Sequence, residues 1–216
     1  MLGTGCGPVA CRRSSTARPD DDLLAVLDAL ELPRAAVVGM SYGGGTSADF
    51  AVTHPDRLWA MVLTGPGLNP MRFDDPFVRE HHRIQGEAAA AGDGGAYLDA
   101  LLRIAVDGPY RTPEQTPAAV RNACRAAAER TMAAHHAATG TVQFRDAAER
   151  LEEIEVPTLL VLGELELPDL YRVVADAHRR LRRAERVDVA GAGHMLNMER
   201  PEECNRAVLE FLDRPR

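Results

Sequence analysis

The sequence predicts an α/β fold, with a mostly parallel sheet of about four recognisable strands flanked by helices and interrupted by a helical insertion. Two observations lead to this prediction. Short, continuous apolar runs alternate with helical segments near both ends of the chain, and such runs are typical of strands buried on both faces of a parallel sheet. Between them, Ala-rich segments of helical character take over and strand-like runs disappear.

The four predicted strands lie at residues 35–40, 58–65, 158–163 and 185–190; the first three are short apolar runs, and the fourth contains the segment Arg186-Val187-Asp188-Val189-Ala190. The first run leads through a glycine-rich turn into a helix, and the second run follows that helix. Such a β-turn-α-β unit implies parallel strands. A helix that begins at Pro19 precedes the first strand, and a helix from Pro201 to Leu212 follows the last one. Acidic residues occupy the first turn of both helices, where they favour the helix dipole.

The middle of the chain predicts a separate helical unit. Helices are expected near 77–91, 95–106, 116–138 and 143–153, punctuated by Gly and Pro. We therefore divide the chain into a core formed by residues 1–66 and 154–216 and a helical cap formed by residues 67–153. Residues 1–19 show no clear periodicity and are predicted to be irregular.

Composition restricts the possible function. The formal net charge of −7 disfavours a nucleic-acid partner, and no stretch approaches the roughly 18 apolar residues of a membrane helix. All 25 basic residues are arginine, which excludes a Schiff-base or phosphate-loop lysine. The cysteines form no CxxC pair and no secretory signal is evident, so we expect free thiols, no metal site and a cytoplasmic location. The cysteines are Cys6, Cys11, Cys124 and Cys204.

The most informative motif is Gly39-Met40-Ser41-Tyr42-Gly43, a G-x-S-x-G pattern between a buried strand and a helix. In this context the serine stands on a sharp turn that projects its hydroxyl at the carboxyl end of the sheet. The glycines allow neighbouring backbone to approach closely. Ser41 is therefore a candidate nucleophile, with the Tyr42 amide as an oxyanion donor. The alternative is a tight turn whose serine only caps the helix.

A serine hydroxyl needs a base, and the best candidate is His194. It lies in a glycine-rich loop after the last strand, whereas the other six histidines lie on predicted helices or at their ends. A carboxylate must then orient the imidazole. Three acids in the loop after the third strand compete for this role: we favour Glu166, with Asp169 and Glu164 as alternatives. The order Ser, acid, His is the one associated with this elbow.

These segments together resemble the α/β-hydrolase fold enzymes, in the branch that bears a cap. The resemblance covers about residues 20–66 and 154–213 and rests on GMSYGG, VPTLLVLGELELPD and GAGHMLNMERPEE. This branch includes esterases, carbon–carbon bond hydrolases, enol-lactonases and non-haem haloperoxidase-like proteins. In the family the acid stands three residues after the glycine that ends the strand, which is Glu166 here, where most relatives carry Asp.

The resemblance implies a serine hydrolase for a small-molecule carboxylic ester, lactone or related acyl substrate, with no metal or organic cofactor. Relatives that use an aspartate nucleophile are disfavoured because Ser41 stands at the elbow. The cap would cover the carboxyl edge of the sheet and shape the substrate pocket. Candidates to line that pocket, or to form the core of the cap, are Met71, Phe73, Phe77, Tyr97 and Leu101.

The resemblance also implies several strands before the elbow, together with an oxyanion loop, and residues 1–19 contain no recognisable counterpart of either. We therefore hypothesise an impaired hydrolase, since one lost oxyanion donor costs on the order of 10²–10³ in turnover. The alternative is a non-catalytic or truncated homologue with a binding or vestigial role. The strand at 35–40 would leave unpaired N–H and C=O groups at the sheet edge, so we expect self-association.

Overall fold

The computed structural model describes residues 16–135 and 141–214. Its main sheet has four parallel strands in the order β2-β3-β5-β6, which confirms the predicted fold class. The strands of the structure are β1 (Thr16–Ala17), β2 (Ala35–Met40), β3 (Leu58–Thr64), β4 (Thr141–Val142), β5 (Thr158–Gly163) and β6 (Ala184–Val189). The expectations for Cys6, Cys11 and the strands and oxyanion loop sought in residues 1–15 lie outside the described residues.

Helices flank the sheet and fill the segment between β3 and β5. The α-helices are α1 (Pro19–Ala29), α2 (Tyr42–Thr53), α3 (Pro76–Ala91), α4 (Gly94–Leu102), α5 (Ala118–His135), α6 (Pro168–Arg180), α7 (Leu196–Glu199) and α8 (Pro201–Leu212). Helix α4 continues into a π-helical turn, Arg103–Asp107, and 3₁₀ turns lie at Pro55–Arg57, Ala147–Glu149 and Leu151–Glu153. We call residues 67–153, which contain α3, α4 and α5, the insertion; their status as a separate cap stays a prediction.

The burial of the two central strands, β3 and β5, explains why their sequences are almost continuously apolar. Every residue of β5 is buried, and so is every residue of β3 except the half-buried Trp59. Met61, Leu63, Leu160 and Leu162 join a core with helices α1, α2 and α6. The alternate residues Ala60, Val62, Leu159 and Val161 pack against α8. Both faces of the sheet are therefore covered, as parallel strands require.

The predicted helix over 143–153 is wrong, because this segment forms two 3₁₀ turns. Asp146 adopts a left-handed conformation with a φ of 56°. The buried carboxylate of Asp49, on α2, accepts the N–H groups of Arg145 at 2.9 Å and Ala147 at 3.2 Å. These N–H groups are therefore satisfied by a distant side chain rather than by a helix.

The chain before α1 also differs from the prediction. Residues Thr16 and Ala17, which were expected to be irregular, form the short strand β1 and pair in parallel with β4.

Cys124 and Cys204 are free thiols, as expected. None of the helices in the described ranges has the length and apolar character needed to cross a bilayer.

Strand β2 lies at one edge of the main sheet, and no other strand within residues 16–135 and 141–214 pairs with its outer side. Its Val38 side chain is 54% exposed. Further exposed apolar side chains lie nearby in the chain, on α1 and just after it, at Val26, Leu30 and Leu32. An apolar strand edge with free backbone groups is a template for pairing with another chain.

We therefore expect the protein to self-associate at micromolar concentration, as measured by light scattering coupled to gel filtration. Val38→Lys should shift the distribution towards the monomer, because a lysine on an edge strand opposes pairing. Leu209→Lys adds the same charge to an exposed position of α8 and should leave association unchanged. A monodisperse monomer in the parent protein would contradict this expectation.

Candidate active site

Ser41 occupies a strained turn between β2 and α2. Its φ is 51° and its ψ is −115°, and a positive φ is uncommon for a residue with a side chain. Backbone hydrogen bonds hold it there: the Ser41 N–H donates to Thr64 O at 3.0 Å, and the Ser41 carbonyl accepts from the N–H groups of Gly44 and Gly67 at 3.0 and 2.9 Å. Such over-determined strain is typical of functional turns.

Packing around this turn requires glycine at positions 39 and 44, whereas a Cβ at Gly43 would meet no atom within 4 Å. A Cβ at Gly39 would lie 2.3 Å from Gly43 O, and a Cβ at Gly44 would lie 2.8 Å from the Pro66 side chain. No side chain fits at either position. The turn leads directly into α2, where Tyr42 is the first residue. Its N–H therefore has no partner within the helix and lies at the positive end of the helix dipole.

His194 and Glu166 form a buried hydrogen-bonded pair. The distance from His194 Nδ1 to Glu166 Oε2 is 2.7 Å, and the second carboxylate oxygen, Oε1, accepts the Leu167 N–H at 2.9 Å. A carboxylate only accepts hydrogen bonds, so Nδ1 carries the proton. Nε2 is then the ring nitrogen that can accept a proton from a nucleophile.

The surroundings of His194 act on its pKa in opposite directions. Burial of the ring lowers the pKa, whereas the negative charge and hydrogen bond of Glu166, together with the negative charge of Glu199, raise it. The carboxylates prevail, and the pKa of His194 lies above the ordinary value for histidine. This arrangement stabilises the imidazolium that forms when the ring takes up a proton.

Gly65 connects the serine turn to the histidine pair. It directly follows Thr64, the residue that binds the Ser41 N–H. A Cβ at Gly65 would lie 2.9 Å from Glu166 Oε2 and 3.0 Å from His194 Nδ1. The end of β3 therefore lies next to all three candidate residues. Sequence reasoning did not identify Gly65, because its positive φ of 47° leaves no pattern in the sequence.

The two competing acids have other partners. Asp169 accepts the N–H groups of Asp74 and Asp75, each at 3.1 Å, and pairs with Arg172 at 2.9 Å. Glu164 Oε2 accepts the N–H of Gly191 at 2.8 Å. Asp169 thus stabilises the loop before α3 through hydrogen bonds, and Glu164 stabilises the loop after β6 in the same way. Of the three acids, the one whose carboxylate binds His194 is Glu166.

The insertion contributes an apolar cluster beside the Glu166 loop. Leu167, the residue after Glu166, is buried with Val78, Ile104 and Leu170. Three of the predicted pocket residues pack against this cluster, namely Met71, Phe73 and Phe77. Leu101 packs in a second cluster formed by α4 and α5. The insertion therefore makes direct hydrophobic contact with the loop that carries the acid.

Two further residues near His194 were not identified from the sequence. Glu199, on α7, accepts the N–H of Gly193 at 3.2 Å, and it forms an ion pair with Arg111 of the insertion. These partners are 88 residues apart in the chain, so no local pattern could reveal them.

One group of side chains within the described ranges could hold a metal ion, and it belongs to α1 and the end of α2 rather than to this site. It comprises Asp20, Asp21 and His54. Arg145 already pairs with both carboxylates, with Nε 2.7 Å from Asp20 Oδ2 and Nη2 2.6 Å from Asp21 Oδ1. The guanidinium thereby supplies the positive charge that a cation would bring.

We expect Gly65→Ala to lower activity much more than its effect on stability explains. An alanine at positive φ costs roughly 1–2 kcal/mol, and its methyl group would press on the His194–Glu166 hydrogen bond. Gly92→Ala is the matched control, because Gly92 has a φ of 69° and a Cβ there meets no atom within 4 Å. In urea titrations both variants should lose the backbone contribution to the unfolding free energy, with a larger loss in Gly65→Ala because of the steric contact, and only Gly65→Ala should lose turnover. Equal activity of the two would contradict the placement of Gly65.

The comparisons with known proteins concern the family and the fold. The model of the Alpha/beta hydrolase family matches residues 3–207. The chain is 30% identical over 216 residues to a Bacillus subtilis protein provisionally named 2-succinyl-6-hydroxy-2,4-cyclohexadiene-1-carboxylate synthase, covering 95% of this chain and 75% of that protein. It is 28% identical over 225 residues to a 2-hydroxy-6-oxononadienedioate/2-hydroxy-6-oxononatrienedioate hydrolase of Paraburkholderia xenovorans, covering 95% and 71% respectively.

Solved structures share the fold. A crystal structure of bromoperoxidase from Bacillus anthracis superimposes with a TM-score of 0.68 at 25% identity, covering 90% of this chain and 73% of that one. The family model spans most of the chain, including the Ser41 turn and the loops that carry Glu166 and His194. The chain therefore belongs to the alpha/beta hydrolase family.

Proposed function

We propose that this protein is a serine hydrolase that cleaves a carboxylic ester, lactone or related acyl compound of small size. The observation that carries the proposal is the buried 2.7 Å hydrogen bond between His194 and Glu166, at the same sheet edge as the strained Ser41 turn. Relatives named as hydrolases support the general reaction class. In this proposal Ser41 is the nucleophile, His194 the base and Glu166 the acid that orients it.

The reaction proceeds through an acyl-enzyme. Ser41 Oγ attacks the substrate carbonyl carbon while His194 Nε2 takes up the hydroxyl proton. The C–O bond to the leaving alcohol breaks, and His194 returns the proton to that alcohol. A water molecule then attacks the acyl carbon, His194 takes up the water proton, and Ser41 leaves as the restored hydroxyl. Glu166 keeps the proton on Nδ1 and stabilises the imidazolium in both halves.

The N–H of Tyr42 is the proposed oxyanion donor. It lies at the start of α2, where the helix dipole also favours negative charge. A single oxyanion donor of this kind contributes on the order of 10²–10³ in turnover.

We expect a fluorophosphonate probe to label the parent protein covalently and to leave Ser41→Ala unlabelled. His194→Ala should label far more slowly, because a serine without a base is a weak nucleophile. Labelled peptide mapping by mass spectrometry would locate the modified serine. Absence of labelling in parent protein with a cooperative unfolding transition would refute the proposal and favour a non-catalytic binding role.

The identity of the acid predicts two contrasting substitutions. Glu166→Gln should lower kcat by about 10⁴-fold, because the amide favours the wrong imidazole tautomer. Asp169→Asn keeps an acceptor for the loop before α3 and should leave kcat close to the parent value. Equal losses in the two variants would count against Glu166 as the acid.

The raised pKa of His194 also predicts the pH dependence. The base must be neutral, so kcat/KM should fall as the pH drops through a value above about 6.5, the ordinary pKa of histidine. Glu166→Gln removes a charge that raises this pKa and should move the acid limb of the profile to lower pH. A parent profile whose acid limb lies below the ordinary value would contradict the prediction.

A further inference from the structure

A buried ion pair joins the insertion to the loop that carries His194. The Arg111 side chain is 10% exposed and that of Glu199 only 1% exposed. Their contact is bidentate, with Arg111 Nη1 2.5 Å from Glu199 Oε2 and Nη2 3.2 Å from Oε1. Two parallel hydrogen bonds of this kind fix the orientation of both groups as well as their separation.

The insertion holds Arg111 in place from its own side. Arg111 Nε donates to Asp107 O at 3.2 Å, and Nη2 donates to Val106 O at 3.0 Å. Both carbonyls lie at the end of the π-helical turn that follows α4. The fully buried Asp107 carboxylate in turn accepts from Thr116 and Arg121. The guanidinium is therefore pre-organised before it meets Glu199.

On the other side, the insertion and the ion pair contact both residues that flank His194. Glu199 Oε1 accepts the Gly193 N–H at 3.2 Å, and a Cβ at position 193 would lie 2.3 Å from Arg111 Nη2. Met195 packs against the buried cluster formed by α4, the π-helical turn and α5. The residue before His194 is thus held by the ion pair, and the residue after it by apolar contacts with the insertion.

We propose that Arg111 and Glu199 are a positioning pair that fixes the His194 loop, so that the helical insertion sets the orientation of the base. The inference rests on the proposed function, in which His194 must face Ser41. Buried ion pairs contribute little net stability compared with apolar replacements, because desolvation offsets their attraction. Buried ion pairs do provide directional hydrogen bonds. Here one such bond joins Glu199 to the backbone N–H of Gly193, the residue before the base.

The test uses the full chain and four variants. Glu199→Gln keeps an acceptor for the Gly193 N–H but removes the negative charge. Arg111→Met removes the guanidinium that donates both hydrogen bonds to Glu199. The double variant Arg111→Met/Glu199→Gln leaves no unpaired buried charge. Glu202→Gln is the control, since it makes the same change at an exposed position in the first turn of α8. Urea unfolding, hydrolysis of p-nitrophenyl acetate and the rate of fluorophosphonate labelling are measured for each.

If the pair positions His194, stability and activity should not change together across these variants. Arg111→Met should be destabilised, and the double variant should regain much of that stability. Its kcat and labelling rate should nevertheless stay on the order of 10²-fold below those of the parent, as expected for a misplaced catalytic group. The KM should change little, and Glu202→Gln should match the parent. Recovery of kcat together with stability would show a merely structural pair and overturn the proposal.

Proton NMR provides a readout that needs no turnover. The charged groups around the imidazole are Glu166 and Glu199, with Arg111 against the adjacent Gly193. Glu199→Gln should lower the pKa of His194, and Arg111→Met should broaden or shift the downfield Nδ1 proton of the His194–Glu166 hydrogen bond. Unchanged signals in both variants would overturn the proposal. These signals remain informative if the parent fails to label, an outcome that would refute only the hydrolase function.

Discussion

Four parallel strands end at one edge of the main sheet, and the candidate site depends on this constraint. Ser41 follows β2, Gly65 follows β3, Glu166 lies in the loop after β5 and His194 in the loop after β6. Because the strands are neighbours in that order, Ser41 is hydrogen-bonded to Thr64 at the end of β3 and His194 to Glu166 after β5, although these segments are far apart in the chain. The sheet thus brings the residues together, and the loops only set their final orientation.

Burial strengthens the electrostatic interactions among the charged groups at this edge of the sheet. His194, Glu166 and Glu199 are all shielded from water, so their mutual interactions are stronger than at the surface. The cost of burying these charges is offset by fixed partners: the Leu167 N–H and the imidazole for Glu166, and Arg111 with the Gly193 N–H for Glu199. The same contacts that make the burial tolerable also fix the geometry.

Much of this arrangement could be predicted from local sequence patterns. Three of the four strands of the main sheet are short apolar runs, and the Ser41 turn requires Gly39, whose place in the G-x-S-x-G motif is visible in the sequence. The loop after β5 offered three acids, and the resemblance to the family favoured Glu166, three residues after Gly163. The rest depends on contacts that no local pattern encodes. Asp49 captures N–H groups near Ala147, a residue 98 positions away, and so replaces an expected helix with tighter turns.

The insertion lies between two strands that pair directly, with Met61 opposite Thr158. The entropy of closing such a loop grows only logarithmically, so doubling its length costs about 0.6 kcal/mol. The sheet therefore places little restriction on how long this segment is, and variation in length around the α3–α4 junction at Gly92 is thermodynamically inexpensive. The stretch that carries Arg111 is different, because it is bound to the core through Glu199. The insertion can therefore vary in length near Gly92, but it is constrained where its residues bind the core, at Arg111, at Asp74 and Asp75, and at Arg145 and Ala147.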